Sequence, residues 1–139
     1  MAFATDSFFV EGHGIVIFKP AKGSLMTVTI EKSGAVWTVI HDRPAARNAM
    51  DPASADALFE AFTAFDQDEQ AAVAVLWGAD GAFCAGWDLK YGASLAGDNP
   101  LSALDFPRDQ SAPSPRGPMG PTRMELSKPV IAAIEGPAV

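Results

Sequence analysis

The sequence predicts an α/β fold, and three observations carry that expectation. Two β-branched-rich runs, Thr27 to Ile30 and Ala35 to His41, flank Glu31-Lys32-Ser33-Gly34 and read as a hairpin with glycine at its turn. Asp51-Pro52 then supplies an N-cap with proline at the first helical position. Behind it, Leu58, Phe59, Phe62 and Phe65 recur at spacings of three and four. A short apolar run, Val73 to Trp77, closed by the turn Gly78-Ala79-Asp80-Gly81, has the pattern of a buried strand. Hairpin, helix and strand in that order make a ββα unit with the next strand begun.

Each element has a local reason. Residues Met1 to Leu25 read as an N-terminal extension ahead of a single domain over residues 26–139; their run Gly14-Ile15-Val16-Ile17-Phe18 has strand character and suits a sheet edge. The aromatic stripe of the helix is core packing, since an apolar helix face is normally buried against its own sheet. Asp66, Asp68 and Glu69 read as a solvated acidic patch at the helix end, where the dipole disfavours them. Tyr91 to Thr122 holds more than half of the 11 prolines and reads as a long Pro/Gly-rich loop with one short candidate helix at Leu101 to Asp105. Pro129 to Ile134 reads as a second buried strand whose entry the proline fixes.

Composition excludes several classes of function. At 139 residues, 48% hydrophobic and 19% charged, the chain can bury one core and is short for two domains. A net charge of −7 argues against nucleic acid, whose phosphates demand a basic surface. The single Cys permits no internal disulfide and no multi-cysteine zinc site. Asp6, with no Lys or Arg before Lys19, is the wrong pattern for a secretory signal, and no apolar run approaches the ~20 residues that span a bilayer. A cytoplasmic chain without membrane contact is the expectation.

The most informative stretch is Gly81-Ala82-Phe83-Cys84-Ala85-Gly86-Trp87-Asp88-Leu89-Lys90, where an apolar run ends in a small-residue turn backed by an aspartate. Backbone N–H groups in such a turn can approach a ligand carbonyl and stabilise charge developing on its oxygen. Asp88 reads as a turn-holding acceptor of backbone N–H bonds and Cys84 as a small hydrophobe. His41 and Asp42 are strand neighbours and point to opposite faces, so they form no dyad.

Three segments in order, Arg43-Pro44-Ala45-Ala46-Arg47-Asn48-Ala49-Met50, Phe83 to Leu89, and Lys128 to Ala138, resemble the crotonase superfamily of enoyl-CoA hydratases and isomerases. The resemblance runs from about Met26 to Val139. It implies a crotonase-like spiral of ββα units that binds acyl-coenzyme A thioesters and polarises the thioester carbonyl with two backbone N–H groups. By motif position it makes the Trp87 N–H one of these donors, although most relatives carry a small residue there. It also places Ala45, Ala46, Arg47, Ala85, Gly86, Asp88, Leu89 and Lys90 along the substrate.

Coenzyme A is a polyanion, so local cations must meet its phosphates. Arg43, Arg47, Lys90, Arg123 and Lys128 are the candidates, with Arg47 foremost. The resemblance further makes the long loop a border of the acyl pocket, with Leu101, Leu104, Phe106 and Met119 as candidate lining. It implies no cofactor beyond the coenzyme A of the substrate, and a homotrimer or a pair of trimers. The second donor, on a Gly-Gly pair, and the acid and base carboxylates fall past Val139 in the family, so the chain reads as the N-terminal half of such a domain. Hydration of a 2-enoyl-CoA is the default reaction. A non-catalytic acyl-CoA-binding or assembly chain, and an inactive fragment, are the alternatives.

Overall fold

The computed structural model describes residues 7–9, 15–18, 27–95, 105 and 115–139. Its strands are β1 (Ser7–Phe9), β2 (Ile15–Phe18), β3 (Val28–Ser33), β4 (Val36–His41), β5 (Val73–Gly78) and β6 (Val130–Ala133); its α-helices are α1 (Pro52–Gln67) and α2 (Leu89–Ser94). They form a six-stranded sheet in sequential order, antiparallel from β1 to β4 and parallel from β4 through β6. The mixed pattern follows from the connections. A tight turn can reverse the chain only into an antiparallel neighbour, whereas α1 carries it back to start β5 alongside β4.

The hairpin turn is tighter than its sequence suggests. Glu31 to Ser33 stay in the ladder, with Ser33 opposite Val36, and only Gly34 and Ala35 make the turn. Gly34 has φ 57°, which glycine adopts at no steric cost. Asp51 caps α1 as expected by accepting the Ser54 N–H at 2.8 Å. The apolar side of α1, Ala55, Leu58, Ala61, Phe62 and Phe65, then closes over Val28, Ile30, Trp37 and Val39 from β3 and β4. Phe65 meets Trp37 edge-on, with centroids 5.8 Å apart. Phe59 lies only half-buried at the rim of this stripe.

Three expectations are corrected here. The acidic end of α1 is paired, not merely solvated: Asp66 accepts from the N–H and hydroxyl of Ser127, and Asp68 forms an ion pair with Lys32 at 3.0 Å. Lys128, a candidate for phosphate, instead donates to the Phe65 and Asp68 carbonyls and so satisfies orphan acceptors at the C-terminal end of α1. β6 is not buried. It is the sheet's edge, with Val130 37% and Ile131 58% exposed, because among the described residues nothing is laid over it.

The expected loop also begins later. Asp88 caps α2, which takes up Leu89 to Ser94 at the start of that stretch. Leu101, Leu104, Phe106 and the candidate helix around them lie outside the described residues, apart from Asp105. Among the described residues no helix is long and apolar enough to cross a membrane.

Candidate active site

Past the ends of β4, β5 and β6, three loop segments come together in a second, minimal layer of pairing. Met50 bridges Trp87 and Cys84 bridges Ala138, both in parallel. Asn48 anchors this layer. Wholly buried, it donates through Nδ2 to the carbonyls of Ala79 and Ala82 at 2.8 and 2.7 Å and accepts the Arg43 N–H on Oδ1 at 2.6 Å. Its backbone is left-handed, φ 55°, as is that of Arg47, φ 49°; Asn tolerates this region better than most residues.

Met50 then fixes the turn that follows. Its N–H donates to the Gly86 carbonyl at 2.7 Å and its carbonyl accepts the Asp88 N–H at 2.9 Å. Trp87 is bracketed between those two bonds, and in a parallel bridge the bracketed residue's own N–H points away from its partner. Gly86 makes this geometry available through φ 82°, and its N–H contacts Cys84 Sγ at 3.4 Å. Among the described residues no group accepts the Trp87 N–H. A free main-chain donor in a turn held on both sides is what a carbonyl-polarising site requires.

Asp88 holds the turn on its other flank. Oδ1 accepts the N–H groups of Lys90 and Tyr91 at 2.9 and 3.1 Å, capping α2, and Oδ2 pairs with Arg43 Nη2 at 2.7 Å. The Tyr91 N–H and the Arg43 guanidinium hold its carboxyl below the usual carboxylate range. Both oxygens being committed, Asp88 supplies no general base. The Trp87 indole turns onto α2, edge-on to Tyr91 with centroids 6.2 Å apart, and a Cβ on Gly92 would lie 3.4 Å from its nitrogen.

An apolar cavity of about 260 Å³ lies beneath, lined among others by His41, Met50, Leu58, Cys84, Met119 and Val139. Of the candidate acyl-lining residues, Met119 is the one seen there. His41 Nε2 is buried and, among the described residues, has no hydrogen-bond partner. Burial, reinforced by the Arg43 charge, lowers the His41 pKa from 6.5 to about 4, so the ring stays neutral. A folded-state pKa below the unfolded one gives stability that is present above pH 6.5 and lost as pH falls towards 4. Urea unfolding at pH 7 and pH 4 should therefore show wild type losing up to about 3 kcal/mol more than His41→Leu. Equal losses in the two proteins would contradict this assignment.

Comparison with known proteins decides the family. Residues 31–139 match the family described as enoyl-CoA hydratase/isomerase. The chain belongs to that family. It is 35% identical over 117 residues to an enoyl-CoA hydratase of Mycobacterium tuberculosis, an alignment covering 79% of this chain and 39% of that one. With a carnitinyl-CoA dehydratase of Proteus mirabilis it shares 41% identity over 105 residues, 74% of this chain and 36% of the other. The crystal structure of an enoyl-CoA hydratase from Mycobacterium marinum superposes with a TM-score of 0.61 at 34% identity, covering 79% of this chain and 38% of that one. The fold is thus that of the crotonase-like hydratases, and the chain spans under two-fifths of these relatives' lengths.

In this member of the family the predicted substrate-side residues divide. Ala45, Arg47, Leu89 and Lys90 are exposed, with Leu89 80% accessible despite its apolar side chain, while Ala46 and Ala85 are half-buried and Gly86 is buried. Among the described residues the side chains of Arg47 and Lys90 have no ion-pair partner. Arg43 is corrected: its Nη2 pairs with Asp51 and Asp88 at 3.1 and 2.7 Å and its Nη1 donates to the Ala49 carbonyl, so it is spent inside the fold. The sequence reading missed Asn48, Met50 and the buried His41. An Asn just after a proline turn and three residues ahead of the Asp51 cap was the available signal for the first of these.

Proposed function

We propose that this chain forms the part of an acyl-CoA-binding enzyme that holds the thioester and stabilises its enolate, the reaction being hydration of a 2-enoyl-CoA. The observation that carries the reading is the unaccepted Trp87 N–H, turned outward by Gly86 and locked by Met50. A donor aimed at a thioester oxygen gains strength as charge builds there, which lowers the barrier instead of merely tightening binding. The family match and the hydratase and dehydratase names of the relatives support the same chemistry. Because Asp88 is committed as cap and ion-pair partner, proton transfer falls to other groups. For this stretch taken alone, that commitment favours the second reading, an acyl-CoA-binding chain without catalysis of its own.

Arg47 meets a coenzyme phosphate, and Lys90 in the first turn of α2 is a second exposed cation for it. Ala45, Ala46, Ala85 and Leu89 lie along the ligand, and no cofactor beyond the substrate's own coenzyme A belongs to the proposal. Homo-oligomeric assembly, as a trimer or a pair of trimers, belongs to the proposal on the strength of the family match.

Calorimetric titration with coenzyme A tests the reading. Arg47→Ala should weaken binding by about 1.5 to 3 kcal/mol at low salt. The gap should narrow in high salt, where exposed charges are screened within about 8 Å or less. Equal affinities of the two proteins at every salt concentration would remove Arg47 from the site.

A further inference from the structure

We infer that Arg43 is a positioning residue for the Trp87 donor, acting as one guanidinium clamp on the N-caps of both α-helices. The inference rests on the proposed role of the Trp87 N–H. Asp51 and Asp88 cap α1 and α2 with one carboxylate oxygen each, accepting the N–H groups of Ser54 and of Lys90 and Tyr91. The other oxygen of each carboxylate is turned to the same Arg43 nitrogen, at 3.1 and 2.7 Å. Arg43 is fixed in turn by its N–H to Asn48 and its Nη1 to the Ala49 carbonyl, so the clamp stands on the segment that leads directly into Met50.

Met50 alone sets Trp87 through two bonds along one direction, and such a pair leaves the turn free to rock about the bridge. The Asp88 side chain, held from the far side by Arg43, removes that freedom one residue beyond the donor. Asp88 is 7% exposed and the Arg43 and Asp88 side chains 24% and 10%, so the charge-assisted bond is partly withdrawn from water, where such bonds are stronger than at the open surface. Lys cannot reproduce the clamp fully, since its single ammonium lacks the planar fork that reaches Asp51, Asp88 and the Ala49 carbonyl together.

Two measurements on the 139-residue chain test this. In ligand-free, 15N-labelled protein, Arg43→Gln should speed exchange of the hydrogen-bonded amides of Asp88, Lys90 and Tyr91 about tenfold, with Arg43→Lys between it and wild type, while amides of β3 and β4 keep their protection. With butyryl-CoA labelled with 13C at the thioester carbonyl, the infrared carbonyl band should be displaced to lower frequency by wild type. Arg43→Gln should lose most of that displacement at unchanged affinity for free coenzyme A. Asp88→Asn keeps a capping oxygen but loses the ion pair, and it should behave as Arg43→Gln does.

The outcomes separate. Wild type without a carbonyl displacement, but with faster Asp88 exchange in Arg43→Gln, sinks the donor reading and leaves the clamp standing. A displaced band and wild-type exchange in both variants overturn the clamp. Loss of β3 and β4 protection in both would make Arg43 a folding residue and overturn it equally.

Discussion

In a protein that also carries the second donor and the acid and base groups, Gly86→Val should lower turnover of a 2-enoyl-CoA by about a hundredfold or more while leaving most affinity for coenzyme A in place. The reason is conformational, not spatial. A Cβ at Gly86 would meet Val139 no closer than 3.6 Å, an ordinary contact, but φ of 82° is a region that β-branched residues avoid. Valine there pulls the backbone towards negative φ, which swings the next N–H out of its direction and breaks the bracket made by Met50. Losing one aimed donor costs about 3 kcal/mol of transition-state stabilisation. Steady-state kinetics on both proteins, with thermal melts to confirm that the variant is folded, give the comparison. An unchanged kcat would remove Trp87 from the mechanism.

The second large effect is on stability. Asn48→Asp should cost about 3 to 5 kcal/mol at neutral pH, because an ionised carboxylate has no donor and would face the Ala79 and Ala82 carbonyls at under 3 Å with no cation to compensate there. Asn48→Ala should cost less. It leaves two carbonyls and the Arg43 N–H unpaired, but it brings no buried charge. Chemical denaturation of the three proteins ranks them, and an aspartate variant within 1 kcal/mol of wild type would mean that water reaches a site where Asn48 is wholly buried.

What could be read from the sequence was local. Asp51-Pro52 announces a helix start because cap and proline act on their own turn, and the spacing of Leu58, Phe62 and Phe65 declares a buried face because helix geometry alone lines them up. What could not be read depends on segments meeting. Val130 and Ile131 look like a buried strand in composition, and only the order of the sheet reveals an edge. Arg43 looks like a spare cation until positions 43, 51 and 88 converge, and α2 is too short to show a periodicity at six residues. Trp87 was indicated by its place in a motif. The sign of φ at Gly86 and the bonds of Met50 supply the physical reason.

The bracket around Trp87 separates two properties that are usually tied together. The group proposed to act on substrate is part of the main chain, so the codon at position 87 does not specify it; nineteen amino acids would present the same N–H, and proline alone would erase it. The side chain there is accordingly free to vary for other ends. Here it is a tryptophan laid against Tyr91 and Gly92, which ties the turn to the helix behind it. A library randomised at position 87 would therefore sample the packing of the turn on α2 with the main-chain donor held constant. That separation makes this turn a natural place for one scaffold to diversify.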